Sequence, residues 1–454
     1  MPHFLTVLLV KTIAKAYGGL ALVASVAYGL TRRETWYQPS AKEKQEFQQA
    51  CHDLWSLEAA HDGLSHNFVK LENGLQLHYI AAYLASKSCD TLVIFLHGFP
   101  DTCHLWEHQL RSSYSPTAQL VALDLPGCGG SDSLSRYGPD EMLNAVAEMI
   151  VKLKHRYISG VSAQGAEKRC ILVSHDWGGV IAYRLAGETS GLFDEVVVLN
   201  STYRLAAQER TASLLLSGRI AWRAGRFKDA LSQLQPIFSQ LLKSNYIFML
   251  NLRLPLAKLF PWLAAALVRV CNENALRNPS VTSSPSLDKN LAASYGPGLS
   301  ECTSRTPEGC SYGQSVRLRA TKHPQGDWDE RVRIYSEGLA LGEWKPIYAG
   351  HHEPLWKSDP EMRKGQFSCP MHTIFGLGDI ALDRRIALDG VELFMPNGTN
   401  GDRQLGVKFD REVQHTSVGQ GSVTTLPLCG HWSMLDREGE RALDALLERL
   451  MDTR

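Results

Sequence analysis

The stretch from Cys170 to Val180, CILVSHDWGGV, constrains the fold of this chain more than any other. An apolar β-type run (Cys170–Val173) meets a sharp turn, and a helix-like segment opens at Gly178-Gly179. Small residues, Ser174 and Gly178, flank Asp176 at the second position on either side. That is the steric signature of a nucleophile elbow, a strained strand-to-helix turn that lifts one side chain above a sheet. A carboxylate at the tip sets the chemistry. It attacks an sp³ carbon and forms an ester that water then hydrolyses. Epoxides and alkyl halides suit such a nucleophile, whereas ordinary esters and amides need no such device. The competing role for an aspartate just before a helix is a plain N-cap.

The pattern on either side agrees with an elbow in a parallel sheet. Asn73-Gly74, inside Phe68–Tyr79, is a strong two-residue hairpin signal. Thr91–Leu96, Gln119–Leu123, Arg169–Val173 and Glu195–Leu199 are short apolar runs bounded by turn residues, as buried parallel strands are. Met142–Tyr157 reads as a crossover helix. The alternation predicts an α/β architecture, a doubly wound and mostly parallel sheet with helices on both faces. After Asn200 the pattern turns helical through Leu205–Asn274 and again at Trp328–Trp356. Strand-like runs resume at Met371–Phe375 and Ser422–Leu426, and Arg441–Met451 reads as an amphipathic helix. We therefore expect a first core part at 36–200, an inserted helical lid at 201–365 and a second core part at 366–454. Thr35–Ser56 reads as a linker, Asn278–Pro324 as a long Ser/Pro/Gly-rich surface loop, and Pro396–Gln420 as a second looped insertion.

The first 35 residues stand apart. Phe4 to Leu30 is largely apolar, broken by Lys11 and Lys15 and followed by Arg32-Arg33. A membrane anchor fits, with the lysines snorkelling to headgroups. A secretory signal with Ser25-Val26-Ala27 as its cleavage site is the runner-up, and an amphipathic helix packed on the domain is the third reading. The basic residues after the span favour a cytosol-facing catalytic part, as at an endoplasmic reticulum membrane. The sequon Asn397-Gly398-Thr399 is usable only in a lumenal or secreted protein. A formal net charge of zero argues against a nucleic-acid partner held by bulk electrostatics. Ten cysteines without metal-like spacing imply no metal site, although Cys302 and Cys310 share a loop that permits a bridge in an oxidising compartment. Oligomeric state has no signature in the sequence.

Three further segments belong with the elbow. His97-Gly98-Phe99-Pro100-Asp101 ends an apolar strand, and active sites in open parallel sheets gather at strand C-termini. The backbone amides of Phe99 and Trp177 are placed to form an oxyanion hole. Gly376-Leu377-Gly378-Asp379 follows another strand and offers Asp379 as an acid, with Asp383 and Asp389 as alternatives. Cys429-Gly430-His431-Trp432 offers His431, one of sixteen histidines, as the base. His97 and His175 read as residues that brace loops.

HGFPD (His97–Asp101), DLPGCGGSD (Asp124–Asp132), SHDWGG (Ser174–Gly179), GLGD (Gly376–Asp379) and CGHW (Cys429–Trp432) together resemble the α/β-hydrolase-fold epoxide hydrolases. The resemblance runs from about Phe68 onward and weakens in the lid. Some members of that family are membrane-anchored. It implies an eight-stranded, mostly parallel sheet with an inserted lid, an Asp176–Asp379–His431 triad, no cofactor or metal, and two lid tyrosines that bind the epoxide oxygen. Ser244-Asn245-Tyr246-Ile247-Phe248 resembles the first tyrosine motif. Tyr348 matches the second by its place about twenty residues before Cys369-Pro370, with Tyr335 as the fallback. Trp177, Tyr246 and Tyr348 then line the substrate pocket, and a small lipophilic epoxide is the implied substrate. Haloalkane dehalogenases share the aspartate elbow but usually carry Asn in place of Phe99. A dehalogenase, or a catalytically silent lipid-binding relative, is the alternative reading. The chain departs from the family at Ser174, at Cys128 and after Asn200, where the usual Pro-His is missing.

Overall fold

A computed structural model describes residues 2–58, 62–82, 89–159, 168–276, 286–322, 328–345, 365–396 and 413–452. The first half of the chain contains α1 (Pro2–Thr31), α2 (Ala41–Trp55), β1 (Leu64–Lys70), β2 (Gln76–Ala82), β3 (Thr91–Leu96), α3 (Glu107–Arg111), β4 (Ala118–Leu123), α4 (Pro139–Ile158), β5 (Arg169–His175), α5 (Trp177–Glu188) and β6 (Glu195–Leu199). A helical insertion follows: α6 (Arg204–Arg223), α7 (Phe227–Lys243), α8 (Asn245–Leu250), α9 (Leu256–Leu259), α10 (Pro261–Ala275), α11 (Leu287–Tyr295), α12 (Gln314–Lys322), α13 (Trp328–Arg331) and α14 (Arg333–Ser336). The chain then returns to the sheet with β7 (Met371–Gly376), α15 (Arg384–Ala387), β8 (Gln414–Val418), β9 (Gly421–Leu426) and α16 (Arg437–Asp452).

The strands form one sheet in the order β1-β2-β4-β3-β5-β6-β7-β9-β8. Its six middle strands, from β4 to β9, pair in parallel, while β1, β2 and β8 join antiparallel. All six residues of β3 are buried, as a strand covered on both faces requires. Its side chains alternate between two cores. Leu92, Ile94 and Leu96 pack with α4 and α5 on one face, and Val93 and Phe95 pack with α2 and α16 on the other.

Three expectations change. The sheet has nine strands rather than eight, because Gln414–Val418, read as loop, pairs with β9 through a tight turn at Gly419-Gln420 in which Gly419 has φ of 56°. Thr35–Ser56 is not a linker. Ser40 and Glu43 form a capping box that starts α2, and Leu54 and Trp55 are fully buried. The described part of 278–324 is packed structure rather than surface loop. Ala292 accepts from the Trp55 indole at 3.0 Å, and the Tyr312 hydroxyl donates to the Trp55 carbonyl at 2.7 Å. Local composition misled here, since Leu291, Tyr312 and Val316 are enough to anchor the segment although Leu299 and Leu318 stay exposed. Cys302 is buried, Cys310 is exposed, and both are free thiols.

Within α1, Leu9–Thr31 is long and apolar enough to cross a membrane, by length and composition. It also packs on the insertion. A side chain at Gly18 would overlap the carbonyl of Phe248 in α8, and one at Gly29 would overlap the Trp262 ring in α10. The sequon at Asn397 lies outside the described residues.

Candidate active site

The site is built at the C-terminal edge of the parallel strands. Asp176 sits between β5 and α5 with φ of 50° and ψ of −116°, a conformation that costs a non-glycine residue about 1–3 kcal/mol. The turn is held by Ser201, whose hydroxyl donates to the Asp176 carbonyl at 2.7 Å. It also depends on Gly98, where any Cβ would overlap the Asp176 side chain. The Phe99 amide donates to Asp176 Oδ1 at 2.9 Å. Trp177 opens α5, so its amide belongs to the first-turn donors that a helix leaves without internal partners.

His431 lies on the other side of the carboxylate. Its Nε2 is 3.6 Å from Asp176 Oδ2, and its Nδ1 is 2.7 Å from Asp379 Oδ2. Asp379 is itself tightly held. Oδ1 accepts from the amides of Ala381 (2.7 Å) and Leu382 (2.9 Å), and Oδ2 also accepts from the Asn200 side chain at 2.8 Å. The alternative acids are engaged elsewhere: Asp383 caps α15 and pairs with Arg385, and Asp389 pairs with Arg210. Burial pulls the His431 pKa down, but the Asp379 charge and the Asp176 and Asp379 hydrogen bonds outweigh it and push it up to about 10. Burial also pushes the two carboxylates up, and His431 more than offsets this, so both stay below the ordinary range.

His97 and His175 brace the loops, as expected. His97 Nε2 accepts from the Leu125 amide at 3.0 Å, and His175 Nε2 donates to the His431 carbonyl at 3.0 Å. Burial pushes their pKa values down to about 4 and about 3, so both are neutral. Asp101 accepts from the Trp432 indole at 3.0 Å, and burial raises its pKa to about 7.

The insertion supplies the roof. Tyr246 of α8 and Tyr335 of α14 meet edge to face at 5.8 Å, and Tyr335 also contacts the rings of Trp177 (4.8 Å) and Phe99 (5.6 Å). Burial raises both phenol pKa values, and the Asp176 charge raises them further, so both hydroxyls are protonated. Tyr348 lies outside the described residues. Among the described residues, the fallback tyrosine, Tyr335, stands beside Tyr246.

Several contributors were missed in the sequence. Asn200 joins the acid loop to β6, and its place at the C-terminus of a buried strand was a usable signal. Arg331, buried, donates to the carbonyls of Ser294, Pro100 and Asp101 and so ties the roof to the Phe99 loop. Lys243, at the end of α7, donates to the carbonyls of Asp379 and Leu382. Nothing in local sequence flags these last two, because their partners in the Phe99 and Asp379 loops are over 100 residues away. A cavity of about 150 Å³ borders His431, Trp432 and Gly378, room for several waters at ~30 Å³ each.

A sequence model described as "Alpha/beta hydrolase family" matches residues 93–445. Among curated proteins, Epoxide hydrolase 3 of Xenopus tropicalis is 30% identical over 149 residues, covering 33% of this chain and 37% of that one. Epoxide hydrolase 4 of Mus musculus is 31% identical over 140 residues, covering 30% of this chain and 34% of that one. The matches thus span only about a third of these relatives' length. A solved structure described among novel epoxide hydrolases from metagenomes of hot environments aligns with a TM-score of 0.47 and 20% identity, over 86% of this chain and 99% of that one.

Proposed function

Because the chain belongs to the alpha/beta hydrolase family, we propose that it is an epoxide hydrolase that opens a lipophilic epoxide to a vicinal diol. The observation that carries this reading is the roof above the elbow, where the rings of Tyr246 and Tyr335 meet at 5.8 Å and Tyr335 packs on Trp177, the residue after the nucleophile-placed carboxylate of Asp176. A carboxylate alone suits epoxides and halides equally. Paired phenol donors suit an oxygen leaving group, which needs a proton, and give no such advantage to a halide.

In the free enzyme His431 carries a proton and keeps Asp176 ionised. Asp176 attacks a ring carbon, the carbon–oxygen bond of the epoxide breaks, and a tyrosine protonates the alkoxide. The proton of His431 replaces the one the phenol gives. Esterified Asp176 has no charge, so His431 loses one of the groups that raised its pKa and becomes a base. It takes a proton from water, which attacks the Asp176 carbonyl carbon. Asp379 orients the imidazole, while the Phe99 and Trp177 amides stabilise the oxyanion, each worth about 3–4 kcal/mol. Collapse breaks the ester carbon–oxygen bond, the leaving diol oxygen takes the proton still on the added water oxygen, and that oxygen stays in the ionised Asp176 carboxylate with His431 protonated as at the start. The residues needed for each step are side chains and amides of the chain itself.

The membrane part of the reading rests on the apolar Leu9–Thr31 helix followed by Arg32-Arg33. We place the catalytic part on the cytosolic side of the endoplasmic reticulum. Protease digestion of intact microsomes should then remove it, and protection would reverse the orientation.

A single turnover in ¹⁸O-water tests the chemistry. Label is expected in the Asp176 peptide, and His431→Gln should accumulate the ester. Unlabelled Asp176 alongside diol formation would overturn the covalent route. Bromide release from a bromoalkane without diol from any epoxide would assign the site to dehalogenation.

A further inference from the structure

The insertion carries a second apolar surface that plays no part in the pocket. Helices α6 and α7 form an antiparallel hairpin whose crossing is close, since Gly218 packs against Leu234 and the Ala230 carbonyl. The outer side of α7 is unusual for a protein surface. Phe227, Leu231, Phe238 and Leu242 are each more than half exposed. At 100° per residue they fall within an arc of about 60°, so they form one stripe. On α6, Leu216 and Ile220 are equally exposed. At the hairpin end Trp222 and Phe227 meet edge to face at 4.8 Å, amid the exposed basic residues Arg219, Arg223, Arg226 and Lys228. An aromatic pair ringed by cations is the usual composition of a side chain set at a bilayer interface.

This stripe is continuous with α1. The Tyr17 hydroxyl donates to the Leu241 carbonyl at 2.9 Å, at the α7 end of the stripe. Contacts then run along α1 from Tyr17 to Gly29, against α8 and α10. The side of α1 turned away from them exposes Leu9, Ile13, Leu20 and Val23. These contacts, from Tyr17 to Gly29, fall inside the apolar Leu9–Thr31 span itself. Any bilayer that holds Leu9–Thr31 therefore also holds the helices docked beside it.

We propose that the α6–α7 hairpin is a membrane-embedded surface: together with the outer face of α1 it seats the lid in the headgroup and upper acyl region of an anionic lipid leaflet. The occupant is lipid rather than a second copy, because the stripe continues into the apolar helix and ends in aromatic and basic residues. The hairpin stripe then meets the leaflet on the same helical insertion that carries Tyr246. The inference rests on the membrane part of the proposed function and not on the epoxide chemistry.

The test uses the full chain reconstituted with phosphatidylcholine–phosphatidylserine vesicles, some carrying bromine on the acyl chains. Bromine quenches only nearby indoles, and Trp222→Phe removes the hairpin's reporter. The expected result is flotation with the vesicles and a quenched component that disappears in Trp222→Phe. Leu231→Glu with Phe238→Glu should release the same component from quenching and leave turnover of a water-soluble epoxide within about twofold. Flotation with identical quenching in wild type and Trp222→Phe would overturn the proposal and leave α1 as the sole anchor. Failure to float would remove the membrane reading itself. A lipid-free dimer that the double variant converts to monomer would assign the stripe to a second copy.

Discussion

Asn200→Ala separates the two chemical steps. Asn200 is fully buried, and its amide donates to Asp379 Oδ2 at 2.8 Å while its oxygen accepts from the Gly376 amide at 3.2 Å. Loss of the bond to an ionised carboxylate costs about 1.5–3 kcal/mol, and loss of the amide acceptor about 1 kcal/mol more. Asn200 also has φ of 40°, and alanine pays about 1 kcal/mol in that region, where asparagine is better tolerated. The sum, about 4 kcal/mol, is within the ~5–15 kcal/mol stability of an ordinary domain, so the variant stays folded at 25 °C with a lower Tm. The effect on rate should be selective. Asp176 attack does not require a base, whereas water activation requires His431 held by Asp379. If about 2 kcal/mol of the loss falls on that step, ester hydrolysis slows about 30-fold. Rapid-quench single turnovers, following ester and diol, read both steps. The expected outcome is alkylation within threefold of wild type and ester that accumulates. Unchanged hydrolysis with a lowered Tm would show that Asn200 only holds strands together. An equal loss in both steps would refute the division of labour between Asp176 and His431.

Two further outcomes are expected. Tyr335→Phe should slow alkylation about 10–100-fold with hydrolysis unchanged, and Tyr348→Phe should leave both within twofold; the reverse, in the same rapid-quench assay, would return the role to Tyr348. Stability should fall as pH rises from about 6.5 to about 10, because the pKa of His431 is raised from its ordinary 6.5 to about 10 in the folded state. Its contribution is complete below the unfolded pKa and is lost by the folded one, with a slope of up to about 1.4 kcal/mol per pH unit. The Asp101 shift, to about 7, acts mainly below that pH. Denaturant midpoints at pH 7, 8 and 9 should therefore decline in wild type and flatten in His431→Gln, and a parallel decline in both would contradict the assignment.

What the sequence made legible was local. The strand runs at β3 and β6 match residue for residue, because a strand buried on both faces announces itself as an unbroken apolar run between turn residues. Asp176 and Phe99 were findable because each follows such a run, whereas the strands before Asp379 and His431 carry His372, Thr373, Thr424 and Thr425, and those two residues were marked by their Gly-containing loops. What was illegible is set by long-range partners. The 278–324 segment looked like loop by composition, yet Leu291, Ala292, Tyr312 and Val316 are buried against elements from the start of the chain. The second tyrosine was placed by counting back from Cys369. Tyr348 itself lies outside the described residues, and the alternative, Tyr335, meets Trp177, a contact that no spacing rule contains. The α2 capping box was visible in Ser40-Ala41-Lys42-Glu43 and was passed over because the segment is polar.

The contact between α1 and α8 has a consequence for how such an enzyme is regulated. Tyr17 meets the Phe248 ring at 5.0 Å, and Gly18 lies against the Phe248 carbonyl, two residues from Tyr246. If α1 is seated in a bilayer as proposed, lipid that binds its docked arrangement more tightly than an undocked one would raise the population in which α8 holds Tyr246 against Tyr335. Linkage makes the effect reciprocal, so a ligand that pins Tyr246 must tighten membrane attachment by the same factor. On the proposed membrane reading the lipid would be an allosteric effector of the active site, with the N-terminal helix as the lever.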